Sequence, residues 1–210
     1  MHQSEKVDQR RQTGLRTRTR LLDAALDQLA ARGEEGVTLR ALTDAAEANV
    51  AAVSYHFGSL RSLCDAAVEH ALERYLDAQQ EAVSALEPGS TVEHIAAAFA
   101  TPMMNAMAGG GRDLDVMRIV ARAGIDPPPG WTRFNARFGR IRTDVARLLK
   151  PHVPDVRDRE LLFRTRCVAG LLNWLVLAPA GAELRNQPVR KIERQLVPVL
   201  AGTFRGTSRA

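Results

Sequence analysis

Five histidines, two cysteines and 24 carboxylates are the side chains in this 210-residue sequence best suited to direct chemistry. Their spacing points away from most of it. His2, His56, His70, His94 and His152 are scattered, and none has another histidine four residues on, the spacing that puts two metal ligands on one helix face. His70 with Glu73 is the nearest approach to a ligand pair and reads as a solvated helix face. Cys64 and Cys167 each lie inside an apolar helical pattern with neither redox nor zinc spacing, so both read as buried free thiols in a reducing cytoplasm. No G-x-S-x-G elbow, H-E-x-x-H pair or strand-linked G-x-G-x-x-G occurs. Gly109-Gly110-Gly111 lacks the lysine of a phosphate-binding loop and reads as a linker. The expectation is a non-enzyme with no catalytic residues, no metal and no cofactor.

The chemistry left is recognition, and it concentrates between Thr38 and Leu63. Thr38 is an N-cap candidate, with Leu39, Leu42 and Ala46 following on one helical face. Asn49 is a second cap, and Val50, Val53 and Phe57 repeat the spacing. That second short helix is expected to bury those three and to present Ala51, Ala52, Ser54 and Tyr55. Gly58 stops it, and Ser59 caps the next helix. Two helices across a tight turn, the second exposing small and hydroxyl side chains, is the layout of a helix-turn-helix that reads DNA. Small residues suit a helix that must enter a major groove about 12 Å wide.

The segment from Thr17 to Leu76 resembles the N-terminal DNA-binding domain of the TetR family of bacterial transcriptional regulators. The resemblance is carried by Ala24, Ala25, Leu29 and Gly33, by Thr38, and above all by Tyr55-His56-Phe57-Gly58-Ser59 before a long helix. It implies a dimeric, all-helical protein that binds a partly palindromic operator and releases it when a small molecule binds. Family members usually carry Gly where this chain has Glu47 and Lys where it has Leu60. A positive φ at Glu47 would be disfavoured for a non-glycine residue. Arg61 stands ready to supply the phosphate contact that Leu60 cannot.

The elements that must position this motif follow from periodicity and breakers. A 45% hydrophobic content with only 5% aromatics favours an all-α protein. The fold expected is an N-terminal three-helix helix-turn-helix domain plus a C-terminal helical domain for ligand binding and dimerisation. Residues 1–16 form a basic flexible arm, 17–62 the DNA-binding domain, 63–205 the effector-binding and dimerisation domain, and 206–210 a tail. The net charge of +5 is compatible with nucleic acid, and within residues 1–20 Lys6 and five arginines face only Glu5 and Asp8. With no apolar run the arm is neither signal nor anchor, so the protein is expected in the cytoplasm, off the membrane.

A helix from Thr17 to Arg32 comes first, and after the two short helices one from Ser59 towards Leu86 links the domains. Later helices are expected from Thr91, kinked or split at Pro102, from Asp113 to Ala123, from Trp131 to Lys150, from Asp158 to Pro179 and from Pro188 to Phe204. On the Trp131–Lys150 helix, Arg133, Arg137 and Arg140 read as a solvated face. The stretch Cys167–Ala180 is apolar nearly all round yet too short to span a membrane, so it must be covered on a second side. A homodimer interface would cover it, with Leu171, Leu172, Leu175, Ile192, Leu196 and Val199 as its candidates.

The basic N-terminal residues, Arg18 among them, are expected to neutralise phosphates, helped by backbone and hydroxyl contacts from Thr38, Asn49, Tyr55 and Arg61, while Arg40 and His56 are placed to help read bases. Ala51, Ala52 and Ser54 are the expected base readers. With no Arg, Asn or Gln inside the second short helix, thymine methyls and DNA shape should carry much of the specificity. Partners are therefore double-stranded operator DNA, a second copy of the chain, and a largely apolar small effector. Candidates for its pocket are Phe99, Met103, Met104, Met107, Met117, Trp131, Phe134, Phe138 and Trp174, with Asn105, Asn135 and Asn173 as polar contacts. Two alternatives stay open: a DNA-binding regulator with no small-molecule effector, controlled by a protein or acting as an activator, and a helical enzyme or binding protein with a vestigial N-terminal unit.

Overall fold

Each N-cap expected from the sequence opens a helix in the computed structural model, which describes residues 2–126 and 132–206, with side chains from Gln9 onward except Arg10 and Ala180. Thr38 Oγ1 accepts from the Ala41 amide at 3.3 Å, Asn49 Oδ1 from Ala52 at 2.8 Å, and Ser59 Oγ from Ser62 at 3.1 Å. Each satisfies one of the amides that a helix start leaves without a partner. All regular structure among the described residues is helical. No helix among them is long and apolar enough to cross a membrane, and no group of three metal-ligating side chains occurs among them.

The chain divides into two compact units between Ala71 and Leu72. The first contains α1 (His2–Arg32), a turn of 3-10 helix (Glu34–Gly36), α2 (Leu39–Ala45), α3 (Val50–Phe57) and the start of α4 (Leu60–Ser84). Its core joins Leu21, Ala25 and Leu26 of α1 to Leu42, Val53, Leu63 and Ala67. Helix α1 begins at His2 rather than near Thr17, so residues 2–16 continue it upstream. Val50 departs from its expected burial. It is 51% exposed, because the core-facing stripe of α3 runs through Val53, with Phe57 only half-buried.

The second unit holds the rest of α4 and α5 (Val92–Gly109), α6 (Gly111–Ile125), α7 (Thr132–Leu149), α8 (Asp158–Leu177) and α9 (Val189–Arg205). Helix α5 is central, packing on α6, α7, α8 and most extensively on α9. It is buried almost all round, with Ile95, Phe99, Met103, Met104 and Met107 fully enclosed. Pro102 sits inside α5 without splitting it. A proline cannot donate to the carbonyl four residues back, and one residue beyond that carbonyl the Phe99 oxygen accepts from Gln79 Nε2 at 2.8 Å, tying α4 to α5.

The expected Gly109–Gly111 loop contracts to one residue, Gly110, at φ 62°, between α5 and α6. A side chain there would be both strained and driven into the Asn186 amide. Helix α8 buries only one stripe: Leu161, Thr165, Val168, Leu172 and Val176. Its opposite side leaves Phe163 62% and Trp174 51% exposed, and Val199 of α9 is 53% exposed. Cys167, expected buried, is exposed on that side of α8, whereas Cys64 is buried as expected.

Candidate nucleic-acid interface and effector cavity

The turn between α2 and α3 is built without the glycine it would ordinarily use. Glu47 stands at φ 47°, its amide donates to Asp44 O at 3.3 Å, and the Ala48 amide reaches back to Thr43 O at 3.0 Å. That pair of bonds is the helix C-terminal closure that favours a left-handed residue after the cap. A non-glycine residue there costs roughly 1 kcal/mol or a little more. Glu47 also accepts from Arg20 of α1 at 3.2 Å, an exposed pair that fastens the turn to the first helix. The motif keeps its geometry despite the substitution.

Past that turn, α3 presents Ala51, Ser54 and Tyr55 to solvent, while Ala52 and His56 are half-buried. Tyr55 is 84% exposed and makes an edge contact with His56. Its phenol has no protein partner among the described residues. Asn49 spends its carbonyl oxygen on the cap, which leaves its amide NH2 to donate outward. Thr38 is likewise exposed at the start of α2. A shallow surface groove gathers Asn49, Ala51, Ala52, Tyr55 and His56 together with Thr17, Arg20 and Glu47. Thr17 and Arg20 are absent from the sequence-based contact set. Their signal is positional: one helical turn apart on α1, they face the groove only once α1 packs on α3.

Outside that groove, Arg18 lies over the Phe57 ring at 5.1 Å, Arg40 is 4.0 Å from Asp44, and Arg61 is 3.6 Å from Glu34. All three are exposed, so these pairings are weak and easily exchanged for phosphates. The small and hydroxyl side chains of α3 offer methyl and hydroxyl contacts to base edges but no bidentate donors.

The second unit encloses a cavity of about 240 Å³. Its wall comes from α4 (Leu72, Tyr75, Leu76), α6 (Val120, Gly124, Ile125), α7 (Phe134, Asn135, Phe138, Arg142) and α8 (Arg166, Ala169, Gly170, Asn173). Of the expected pocket residues, Phe134, Phe138, Asn135 and Asn173 line it. Phe99, Met103, Met104, Met107 and Met117 do not; they are buried in the core around α5 and α6. Asn105 is exposed on α5, Trp174 points to solvent, and Trp131 lies outside the described residues. Tyr75, Arg142 and Arg166 are absent from the sequence-based pocket set. The signal for Arg142 is that Phe134, Phe138 and Arg142 follow at four-residue steps, so the apolar stripe of α7 ends on a cation.

Tyr75 accepts from Gln79 Nε2 at 3.0 Å, and burial pushes its phenol above the ordinary value, so it stays a protonated donor. Among the expected interface residues, Leu172, Ile192 and Leu196 are consumed by the core of the protomer, Leu171 and Leu175 are half-buried, and only Val199 is exposed. Among the described residues of α8 and α9, the large apolar side chains left exposed are Phe163, Trp174 and Val199.

Comparison with known proteins agrees with this architecture. The sequence profile of bacterial regulatory proteins of the tetR family matches residues 21–67, and that of the tetracyclin repressor-like C-terminal domain matches residues 97–203. No curated protein gives a significant match. Among solved structures, the chain is similar to the TetR family transcriptional regulator PfmR of Thermus thermophilus, with 19% identity and a TM-score of 0.60 over 91% of this chain and 97% of that one. A TetR family regulator from Marinobacter aquaeolei gives a TM-score of 0.65 at 15% identity, over 92% and 97% of the two chains. A transcriptional regulator from a Rhodococcus species gives 0.61 at 21%, over 89% and 95%. At these identities the likeness concerns the fold, while the two profiles together span both units. The chain belongs to the TetR family of bacterial transcriptional regulators.

Proposed function

We propose that this regulator is a cytoplasmic repressor that grips a palindromic operator as a homodimer and lets go when a small molecule fills the cavity of its second unit. The observation that carries the DNA contact is the outward face of α3. It leaves Tyr55 84% and Val50 51% exposed, an arrangement the packing of the unit does not require. A partner with methyl groups and phosphates at groove spacing would cover it. The dimer rests on Phe163, Trp174 and Val199, apolar side chains on α8 and α9 that the protomer leaves open.

Release is proposed to run through α4. This single helix carries Leu63 and Ala67 in the core of the first unit and Leu72, Tyr75 and Leu76 at the cavity wall. A ligand that shifts the wall therefore shifts a helix rooted beside α3. Half-sites about 34–36 Å apart tolerate little change in the separation of two recognition helices. The test is selection of bound duplexes from a random pool at near-physiological salt. Enrichment of an inverted repeat is expected. Binding without enrichment that fades as salt rises would mean charge alone holds the DNA, and the operator reading would fall.

A further inference from the structure

The cavity is apolar along most of its wall, yet two cations stand at its edge. Arg142 of α7 and Arg166 of α8 line it, and both also line a shallower surface groove beside it with Arg140 and Arg147. They therefore occupy the place where the cavity meets solvent. Three of the other four arginines of α7 pair with carboxylates: Arg133 with Glu73 at 2.9 Å, Arg137 with Asp77, and Arg147 with Asp144 at 2.9 Å. Arg142 and Arg166 have no such partner among the described residues.

Arg142 is half-buried, with its guanidinium carbon 4.6 Å from the centroid of the Phe138 ring. Its burial, and after that the like charge of Arg166, hold its pKa below the ordinary arginine value. Two cations near each other, one withdrawn from water and neither balanced, make an electrostatic arrangement that an anion would relieve. The groove outside adds Arg140 and so raises the local concentration of approaching anions. Within the cavity, Tyr75 has a phenolic proton to donate, and the Asn135 and Asn173 amides add donors beside an otherwise apolar wall.

We infer that the effector is an organic monocarboxylate with a compact apolar body, its head group held between Arg142 and Arg166 and its body lying along Leu72, Val120, Phe134 and Phe138. This rests on the reading of the cavity as the effector site. It also sharpens the expectation of a merely apolar effector. A planar, forked guanidinium matches a carboxylate through two parallel bonds. The volume, about 240 Å³, lies below the ~300–1,000 Å³ usual for ligand pockets, which favours a single ring or a short chain over a fused polycycle.

The experiment is calorimetric titration of the full-length protein, without DNA, with matched probes: octanoate against 1-octanol and octylamine, and cinnamate against cinnamyl alcohol. At least one acid is expected to bind roughly tenfold or more tighter than its alcohol, the gain of a charge-assisted pair over a neutral one, and the amine not at all. Arg142→Met keeps the apolar stem and should erase the acid's advantage. Arg166→Gln, at an exposed position, should reduce it even if the first variant fails to fold. Arg133→Gln, which removes a charge from the same helix away from the cavity, should leave it intact. Equal affinity for acid and alcohol, an advantage that survives Arg142→Met, or no binding of either acid would overturn the inference. Adding the acid to a complex with selected duplex separates the two readings. Arginine-dependent acid binding that leaves duplex affinity unchanged would keep the anion site and defeat the effector role. Duplex released by a neutral ligand alone would keep the effector role and defeat the anion site.

Discussion

In the first unit, the residues proposed to meet DNA lie at the surface on two short helices, the turn between them, and the adjoining stretches of α1 and α4. In the second, those proposed to meet a ligand are turned inward from four helices spread over a hundred residues of sequence. The recognition face therefore contributes little to folding, and its side chains are free to be small, hydroxylated or cationic. The cavity is a gap in a packed core, so its lining is constrained by packing first and by ligand second. Substitutions in the two regions should separate: binding with little change in stability on the recognition face, the capping residues Thr38 and Asn49 excepted, and stability with or without binding around the cavity.

The largest effect is expected at Phe99. It is fully buried, stacks with Phe138 at 6.4 Å between ring centroids and meets Phe204 edge-on at the same distance. Phe99→Ala should cost about 3–5 kcal/mol, measured by thermal or urea unfolding. Retained stability with altered ligand affinity would return Phe99 to the pocket and break the contrast.

At the face of α8, Phe163→Glu combined with Trp174→Glu should leave the protomer folded, since neither side chain is enclosed, and convert a dimer to a monomer in sedimentation velocity. Unchanged sedimentation at the wild-type dimer position would place the interface elsewhere. A smaller effect is expected at Asn49. Asn49→Ala removes the cap of α3 and should cost about 1 kcal/mol in unfolding free energy. It should also weaken duplex binding through the lost amide.

How much of this was legible depended on the sequence distance between the groups involved. The caps at Thr38, Asn49 and Ser59, the Gly33 and Gly58 stops and the exposed face of α3 are local, so residue order shows them. Val50 is exposed against expectation because a two-turn helix cannot say which edge of its apolar stripe meets α1. Met103, Met104 and Met107 have the composition of a pocket, yet α5 is the central helix and encloses them in the core. Arg142 and Arg166 are 24 positions apart on two helices, and only tertiary packing puts both at one cavity mouth. Leu172, Ile192 and Leu196 read as interface because the sequence demands a second buried side for α8 without saying which residues face it.

Glu47 offers a finer test. Glu47→Gly relieves a left-handed residue, worth roughly 1 kcal/mol, and gives up an exposed ion pair worth about 0–1 kcal/mol. A small net stabilisation is expected. Duplex affinity should rise, with the salt dependence steeper by about one counterion, because Arg20 is freed and a negative charge leaves the groove. Weaker duplex binding by this variant would mean that Glu47 orients Arg20 instead of competing for it.

The smallest expected change in stability, and the most direct measurement, is Tyr55→Ala, followed by melting temperature and by affinity for the selected duplex on the same preparation. Tyr55 is 84% exposed and has no hydrogen-bond partner in the protein among the described residues, so the melting temperature should stay as it was while affinity falls about tenfold or more. Unaltered affinity would contradict the assignment of this face to DNA. A lowered melting temperature would show that Tyr55 serves the fold.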